Sequence, residues 1–220
     1  MISFTQVRNN PYFLEFIKQT DKRMALLKYT GHGLDHADLV SARARSLANE
    51  VGLNKSNREL AAIAALCHDI GNFLSRTYHN YLGATIFQQL FQKDFDPEEL
   101  AIIMQAIVNH DKDEMQFTDP ISAVVILADK SDVRKERVTI KDKKAIEEDI
   151  HNRVNFAAEY NKLDIDKKKK KIILRLKIDV KTVSVMEYFE IFTERMIYCR
   201  KAAECLGYKF GLVINDFKLL

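Results

Sequence analysis

Two strongly apolar segments of this chain end in side chains that carry charge or bind metals, and this pattern limits the fold more than any other. The first, RELAAIAALCHDI, is expected to be capped by Ser56 or Asn57 and stopped by Gly71, and its alanines permit close helix packing. It ends in the adjacent pair His68 and Asp69. A buried charge is costly unless it is paired or binds a metal. This helix therefore needs polar partners from elsewhere in the chain.

The second apolar segment begins at Asp119-Pro120 and reads ISAVVILADKSDVRKERV. If it is one helix, Val125, Asp129 and Asp132 share a face, since residues three and four apart are neighbours. Asp129 is then a carboxylate on the core side of its helix. Imidazole and carboxylate ligands together suit divalent Mn, Fe, Zn or Co, and the absence of cysteine ligands argues against a structural zinc site.

Helical spacing covers the first two thirds of the chain, and alternation of apolar and polar residues takes over in the last third. Further helices are predicted to start at Asn10-Pro11, at Asp35, near His79 and at Asp96-Pro97. The C-terminal part predicts a hairpin (156–165 and 172–178), a long helix (182–206) and a strand (208–214). The expected fold class is mainly α. Residues 1–147 form a helical domain with the candidate metal site, and residues 148–220 form a small α+β extension.

Composition excludes several classes of protein. The net charge of the 220 residues is only +3, which disfavours nucleic acid as a partner. Cys67, Cys199 and Cys205 form no CxxC pair and are odd in number, which indicates reduced thiols. The start lacks a signal-peptide pattern, and no run of about 18 apolar residues occurs. We expect a soluble, cytoplasmic protein with no membrane partner.

The ordered series His36, His68-Asp69 and Asp129 resembles the H…HD…D signature of the HD-domain metal-dependent phosphohydrolases. The segments DHADLVSARARSLA, AALCHDIGN, HNYLGATIF and ILADKSDVRKERV resemble their counterparts in that family, over roughly residues 30–137. The resemblance implies a helical HD-domain bundle in which these four side chains hold one divalent ion. In relatives with two metals, two further histidines lie between the HD pair and the last aspartate. His79 and His110 occupy those positions, and Asp69 would then bridge the ions.

The resemblance also implies a reaction, the hydrolysis of a phosphate ester in a nucleotide or another small phosphorylated metabolite. A metal-held water is the nucleophile, and Asp69 is the catalytic residue that orients or deprotonates it. One or two divalent ions per chain are expected, with Fe or Mn favoured and Zn, Co, Ni or Mg as alternatives. Many members read HDIGK where this chain has Asn72, so another cation has to bind the substrate phosphate. The candidates are Arg76, Lys130 and Arg134.

Several alternatives stay open on the sequence. The protein could be a di-iron oxygenase of the HD type, or a non-catalytic protein that senses a metal or a phosphorylated signal. His79 and His110 could cap helices or orient a ligand, and the three cations could simply be solvated. Asp111 and Asp132 could accept hydrogen bonds from ligands, and His32 could line the site or be exposed. The long C-terminal helix could close the site or form a homodimer.

Overall fold

The fold is helical for most of its length and ends in a small sheet. The computed structural model describes residues 2–112 and 119–219. Within these ranges the helices are α1 (Phe4–Arg8), α2 (Pro11–Leu26), α3 (Leu34–Glu50), α4 (Lys55–Cys67), α5 (His79–Phe91), α6 (Pro97–Asn109), α7 (Pro120–Lys130), α8 (Lys143–Glu148), α9 (Ile150–Phe156) and α10 (Val185–Cys205). The strands are β1 (Ala158–Asp166), β2 (Lys171–Ile178), β3 (Lys209–Ile214) and β4 (Phe217–Lys218). The expected mainly-α bundle with a C-terminal α+β unit is confirmed.

Helices α4 and α7 form the centre of the bundle. Residues 60–67 of α4 and 121–130 of α7 are all buried. Four alanines of α4 (61, 62, 64 and 65) have no exposed surface, so α3, α6 and α7 can pack directly against this helix. The two segments predicted to be buried are therefore the core helices.

Two predicted helix caps were wrong. Asn54, rather than Ser56 or Asn57, caps α4, and its side chain accepts a hydrogen bond from the Asn57 amide at 2.8 Å. Helix α3 begins after Gly33, so Asp35 lies in its first turn, where a carboxylate still interacts favourably with the helix dipole.

The predicted extent of α7 was also wrong, because this helix ends at Lys130. Asp132 therefore does not share a helix face with Val125 and Asp129. The carbonyl groups beyond the helix end are satisfied by distant side chains: Asn161 donates to the carbonyl of Val133, and Arg137 donates to that of Asp132. These bonds replace the ones that a continuing helix would make.

The C-terminal sheet has the order β1-β2-β3-β4, with a β1–β2 hairpin and β3 parallel to β2. Helix α10 connects β2 to β3, and the short β4, which the sequence did not predict, pairs antiparallel with β3. The inner face of β2 buries Ile172, Leu174, Leu176 and Ile178. Helix α10 packs on α7, and one continuous hydrophobic core includes residues of both parts. The division at residues 147 and 148 stays a prediction.

No helix among the described residues is both long and apolar enough to span a membrane.

Candidate metal centre

Six buried side chains converge where five helices begin or end. His36 lies in the first turn of α3, His79 is the first residue of α5, and Asp129 is the penultimate residue of α7. His68 and His110 directly follow α4 and α6, and Asp69 begins the 3₁₀ turn Ile70–Phe73. None of the six is more than 7% exposed. The structure thus brings together every residue that the sequence predicted as a metal ligand.

The first group of candidate metal-ligand atoms contains the Nε2 atoms of His36 and His68, one oxygen of Asp129 and one oxygen of Asp69. Nε2 of His68 lies 3.2 Å from Asp69 Oδ2 and 3.6 Å from Asp129 Oδ1. Nε2 of His36 lies 3.4 Å from Asp129 Oδ1 and 3.7 Å from Asp69 Oδ2. Atoms that each bind one ion at about 2.1 Å lie roughly 3.0–3.5 Å from one another. The spacing is close to that of a donor set for one ion.

The second group uses the other oxygen of Asp69. Asp69 Oδ1 lies 3.4 Å from Nε2 of His79 and 3.8 Å from Nε2 of His110. These two nitrogens are 3.1 Å apart. Each oxygen of Asp69 therefore faces its own group of histidine nitrogens. Asp69 can thus contribute one oxygen to each group, and the atoms lie close enough that His68, His110 and Asp129 also form a possible ligand group.

The four histidine rings are held in the same orientation. In each of them Nδ1 faces an oxygen at 2.6–2.9 Å: Asp132 for His36, and the carbonyls of Ala65, Arg76 and Ile107 for His68, His79 and His110. Nδ1 of each neutral ring then carries the proton, and the lone pair of Nε2 points into the centre. The Nε2 atoms of His36 and His68 are buried and make no hydrogen bond with the described residues. Such nitrogens fit a metal ion.

Electrostatics favour a cation at this place. Burial would raise the pKa of the Asp69 carboxyl, but His68 and the other histidines around it hold that pKa well below its usual range. Burial would lower the pKa of His68, and the carboxylates of Asp69 and Asp129 raise it to about 10. Burial lowers the pKa of His110 to about 3. The carboxylates are thus anionic and require a positive charge beside them, which a proton on His68 or a metal ion can supply.

Two of the three candidate phosphate-binding cations lie on the His79 side of the centre. Nη1 of Arg76 lies 3.2 Å from Nε2 of His79, and its Nη2 lies 3.7 Å from Asp111 Oδ2. Lys130 is buried, with Nζ 2.7 Å from Asp111 Oδ1 and 3.2 Å from Asp129 Oδ2. A cavity of about 450 Å³ opens beside Arg76, His79 and Asp111. Arg76 is the more accessible cation, since its side chain is 36% exposed and that of Lys130 only 7%.

Arg134 is placed differently. Its Nε donates to Asp132 Oδ1 at 2.8 Å, on the Nδ1 side of His36. It lines a separate cavity of about 240 Å³. The structure does not bring Arg134 together with Arg76 and Lys130, and its role in substrate binding stays a prediction.

Two supporting contacts were not assigned from the sequence. Asn72, noted only as a departure from the HDIGK pattern, donates from Nδ2 to Asp69 Oδ1 at 2.7 Å and accepts from Arg76 Nη1 at 3.1 Å. Its position three residues after Asp69 was the available signal. His32 is buried, with its ring centre 5.8 Å from that of His36, so it lies beside the centre.

Comparison with known proteins agrees with this geometry. Residues 33–137 match the family model of the HD domain, and this range contains all six converging side chains. A search among curated proteins gave no significant match. Most proteins with this domain are metal-dependent hydrolases of phosphate compounds. Residues 33–137 of this chain are therefore an HD domain of the metal-dependent phosphohydrolase superfamily.

Proposed function

We propose that this protein hydrolyses phosphate esters of nucleotides or other small phosphorylated metabolites, with one or two divalent ions as cofactors. The observation that carries the proposal is the arrangement around Asp69, whose two oxygens each lie 3.2–3.8 Å from the Nε2 atoms of two histidines. The HD domain supports the reaction class in general, because most proteins with this domain are metal-dependent hydrolases.

His36, His68, Asp69 and Asp129 would hold one ion, and Asp69, His79 and His110 would hold the second. When bound, such ions lower the pKa of water towards neutrality and stabilise negative charge on phosphate oxygens. A donor set of imidazoles and carboxylates suits Fe or Mn best, and Zn, Co, Ni and Mg are the alternatives.

The protein's own groups have separate tasks in this reaction. Asp69 stays anionic because the surrounding histidines lower the pKa of its carboxyl, so it can act as a ligand and orient the attacking water. Asn72 keeps the carboxylate of Asp69 in place through its amide. Arg76 borders the cavity and can donate two parallel hydrogen bonds to phosphate oxygens, on which negative charge grows during the reaction. We place the substrate in the cavity beside Arg76 and His79.

The decisive experiment measures metal content per chain by mass spectrometry together with turnover of phosphomonoesters and phosphodiesters. Wild-type protein should contain about two equivalents of Fe or Mn, and His110→Ala should contain about one. Asp69→Ala should lose turnover and both ions, because Asp69 belongs to both donor sets. Arg76→Ala should keep its metal and raise KM for a phosphate ester by about tenfold or more.

Each other outcome has a definite meaning. One equivalent in both wild type and His110→Ala would confine the site to His36, His68, Asp69 and Asp129. Full turnover by a folded Asp69→Ala variant would contradict the proposed mechanism. Bound metal without turnover of any phosphate ester would favour the sensor alternative.

The histidine-rich pair of donor sets also fits two iron ions, which makes a di-iron oxygenase the second candidate function. The same preparation should therefore be assayed with and without oxygen. Phosphate release that is unchanged under nitrogen supports the hydrolase, whereas oxygen consumption with no phosphate release supports the oxygenase.

A further inference from the structure

The turn that follows α7 is held from the C-terminal sheet by Asn161 on strand β1. The Nδ2 group of Asn161 donates to the carbonyl of Ser131 and, at 3.1 Å, to that of Val133. These two residues flank Asp132 on either side. Together with Arg137, which donates to the carbonyl of Asp132, Asn161 therefore fixes the backbone of this turn from almost thirty residues further along the chain.

Asn161 also holds the side chain of Arg43 beside this turn. Its Oδ1 accepts from Nη2 of Arg43 at 2.5 Å, and Nη1 of Arg43 lies 3.4 Å from Ser131 Oγ and 3.6 Å from Asp132 Oδ1. Arg43 belongs to α3, the helix that carries His36. Asn161 thus connects helix α3, the turn after α7 and strand β1.

Asp132 in turn positions His36, one of the candidate metal ligands. It is completely buried, and its Oδ2 lies 2.8 Å from Nδ1 of His36. That contact fixes the tautomer of His36 and turns Nε2 towards Asp69 and Asp129. Carboxylates that hold a ligating imidazole in this way commonly change metal affinity by 10–100-fold when they are lost.

The side-chain amide of Asn161 uses its nitrogen as a donor and its oxygen as an acceptor in these contacts. One amide group supplies two donors to two carbonyls and one acceptor to a guanidinium, a combination that neither leucine nor aspartate provides. The neighbours of Asn161 on β1, Tyr160 and Lys162, are exposed, and Lys162 pairs with Asp164. The connection to the turn is thus a property of residue 161.

We propose that Asn161 is a positioning residue for His36, so that the C-terminal sheet is a structural part of the metal centre. The inference rests on the proposed function only in requiring that the centre binds a metal ion. It gives the C-terminal unit a role that the HD domain itself does not include.

The test uses the full-length Asn161→Leu variant and measures Mn²⁺ binding by titration calorimetry and the visible absorption of Co²⁺-loaded protein. We expect the affinity of the ion held by His36 to fall by up to about tenfold, the lower end of the effect of losing the carboxylate itself, with a changed Co²⁺ spectrum. The binding at His79 and His110 should be retained. Leu163→Ala is the matched control, because it removes packing on the same strand but no hydrogen bond to the turn.

The outcomes separate this inference from the proposed function. Wild-type protein that binds no metal would overturn both. Wild-type binding with unchanged affinity in Asn161→Leu, or an equal loss in Leu163→Ala, would overturn only the role of Asn161. If Asn161→Leu does not fold, Asn161→Asp carries the test. It keeps the Arg43 pair but sets a carboxylate against two carbonyls, so its affinity for the first ion should also fall.

Discussion

Asp69 can contribute to both candidate metal-ligand groups because its carboxylate is held between them. Oδ2 faces His36 and His68, whereas Oδ1 faces His79 and His110 and also accepts from Asn72 at 2.7 Å. Without the amide of Asn72, the carboxylate could rotate about its Cβ–Cγ bond and lose one group of partners. Asn72 therefore matters most for the ligand group that Asp69 forms with His79 and His110.

Replacing Asn72 by alanine tests this. We expect Asn72→Ala to weaken binding of the second ion about 10–100-fold and to affect the first ion less, because Oδ2 keeps its own neighbours. Calorimetric titration with Mn²⁺ resolves the two sites. Asn155→Ala is the control, since it removes another buried amide, whose hydrogen bond goes to the His151 carbonyl within α9. Equal effects of the two variants would contradict this role of Asn72.

The pKa shifts of His68 and His110 predict how the stability of the metal-free protein depends on pH. The pKa of His68 is raised from 6.5 to about 10 by Asp69 and Asp129, against the effect of burial, so its stabilising contribution is complete below pH 6.5 and is lost as pH rises towards 10. The pKa of His110 is lowered by burial to about 3, so stability is lost as pH falls below 6.5. The metal-free protein should be most stable near pH 6.5.

Calorimetry in the presence of a chelator measures this. Between pH 7 and pH 9 the Tm should fall by about 3–5 °C per pH unit, the slope expected when one proton is released. His68→Gln should flatten this alkaline loss. Metal-loaded protein should also show a flatter slope, because the ion supplies the positive charge. A wild-type Tm that rises over this range without metal would contradict the assignment.

At the scale of elements, the centre exists because α5 approaches the 3₁₀ turn after α4 very closely. A Cβ atom on Gly71 would lie 2.0 Å from the carbonyl oxygen of His79 and 2.6 Å from the amide nitrogen of Gly83. Both are backbone atoms of α5, so the helix itself would have to move. The absence of a side chain at residue 71 therefore places His79 beside Asp69.

Gly71→Ala should destabilise the protein by about 3 kcal/mol or more and abolish the second metal site. Gly52→Ala is the control: its Cβ would meet no atom within 4 Å, but its φ of +87° makes alanine cost about 1–2 kcal/mol. We expect Gly52→Ala to keep its full metal content. Thermal unfolding and metal analysis of both variants give the answer, and two equivalents of metal in Gly71→Ala would contradict this explanation.

At the scale of the whole molecule, the C-terminal unit is packed into the helical part. Helix α10 lies on α7, the hydroxyl of Tyr198 donates to the Lys112 carbonyl, and the Tyr198 ring lies 5.6 Å from Nζ of Lys130. The same helix thus covers the side of α7 that carries Lys130. Continuous burial of this kind predicts a single cooperative unfolding transition.

A truncated protein tests the domain boundary. Residues 1–147 alone would expose the face of α7 that packs on α10 and would lose Asn161. We expect this fragment to show no cooperative thermal transition and no stoichiometric metal binding, measured by calorimetry and metal analysis. A fragment that unfolds cooperatively and binds metal would instead establish 1–147 as an independent domain.

Local sequence patterns determined most of the fold class and indicated His68, Asp69 and Asp129, whereas His36, His79 and His110 were predicted from the resemblance to the HD-domain family. Among the described residues, helices α2–α7 and α10 were predictable from apolar spacing, proline starts and glycine stops, and strands β1–β3 from alternation; α1, α8, α9 and β4 were not predicted. The pair His68-Asp69 and Asp129 stood out because each is a polar group at the end of an apolar run. These are properties of neighbouring residues, so they can be recognised without the fold.

Contacts between distant residues decided the rest. Helix α7 ends at Lys130 because Asn161 and Arg137 bind the carbonyls beyond it, and nothing near Lys130 in the sequence indicates that stop. The separation of Arg134 from Arg76 follows from that turn. The supporting role of Asn161 depends on a strand folding back onto the helical domain. Hydrogen bonds of this kind have no local period, so only the tertiary structure could place them.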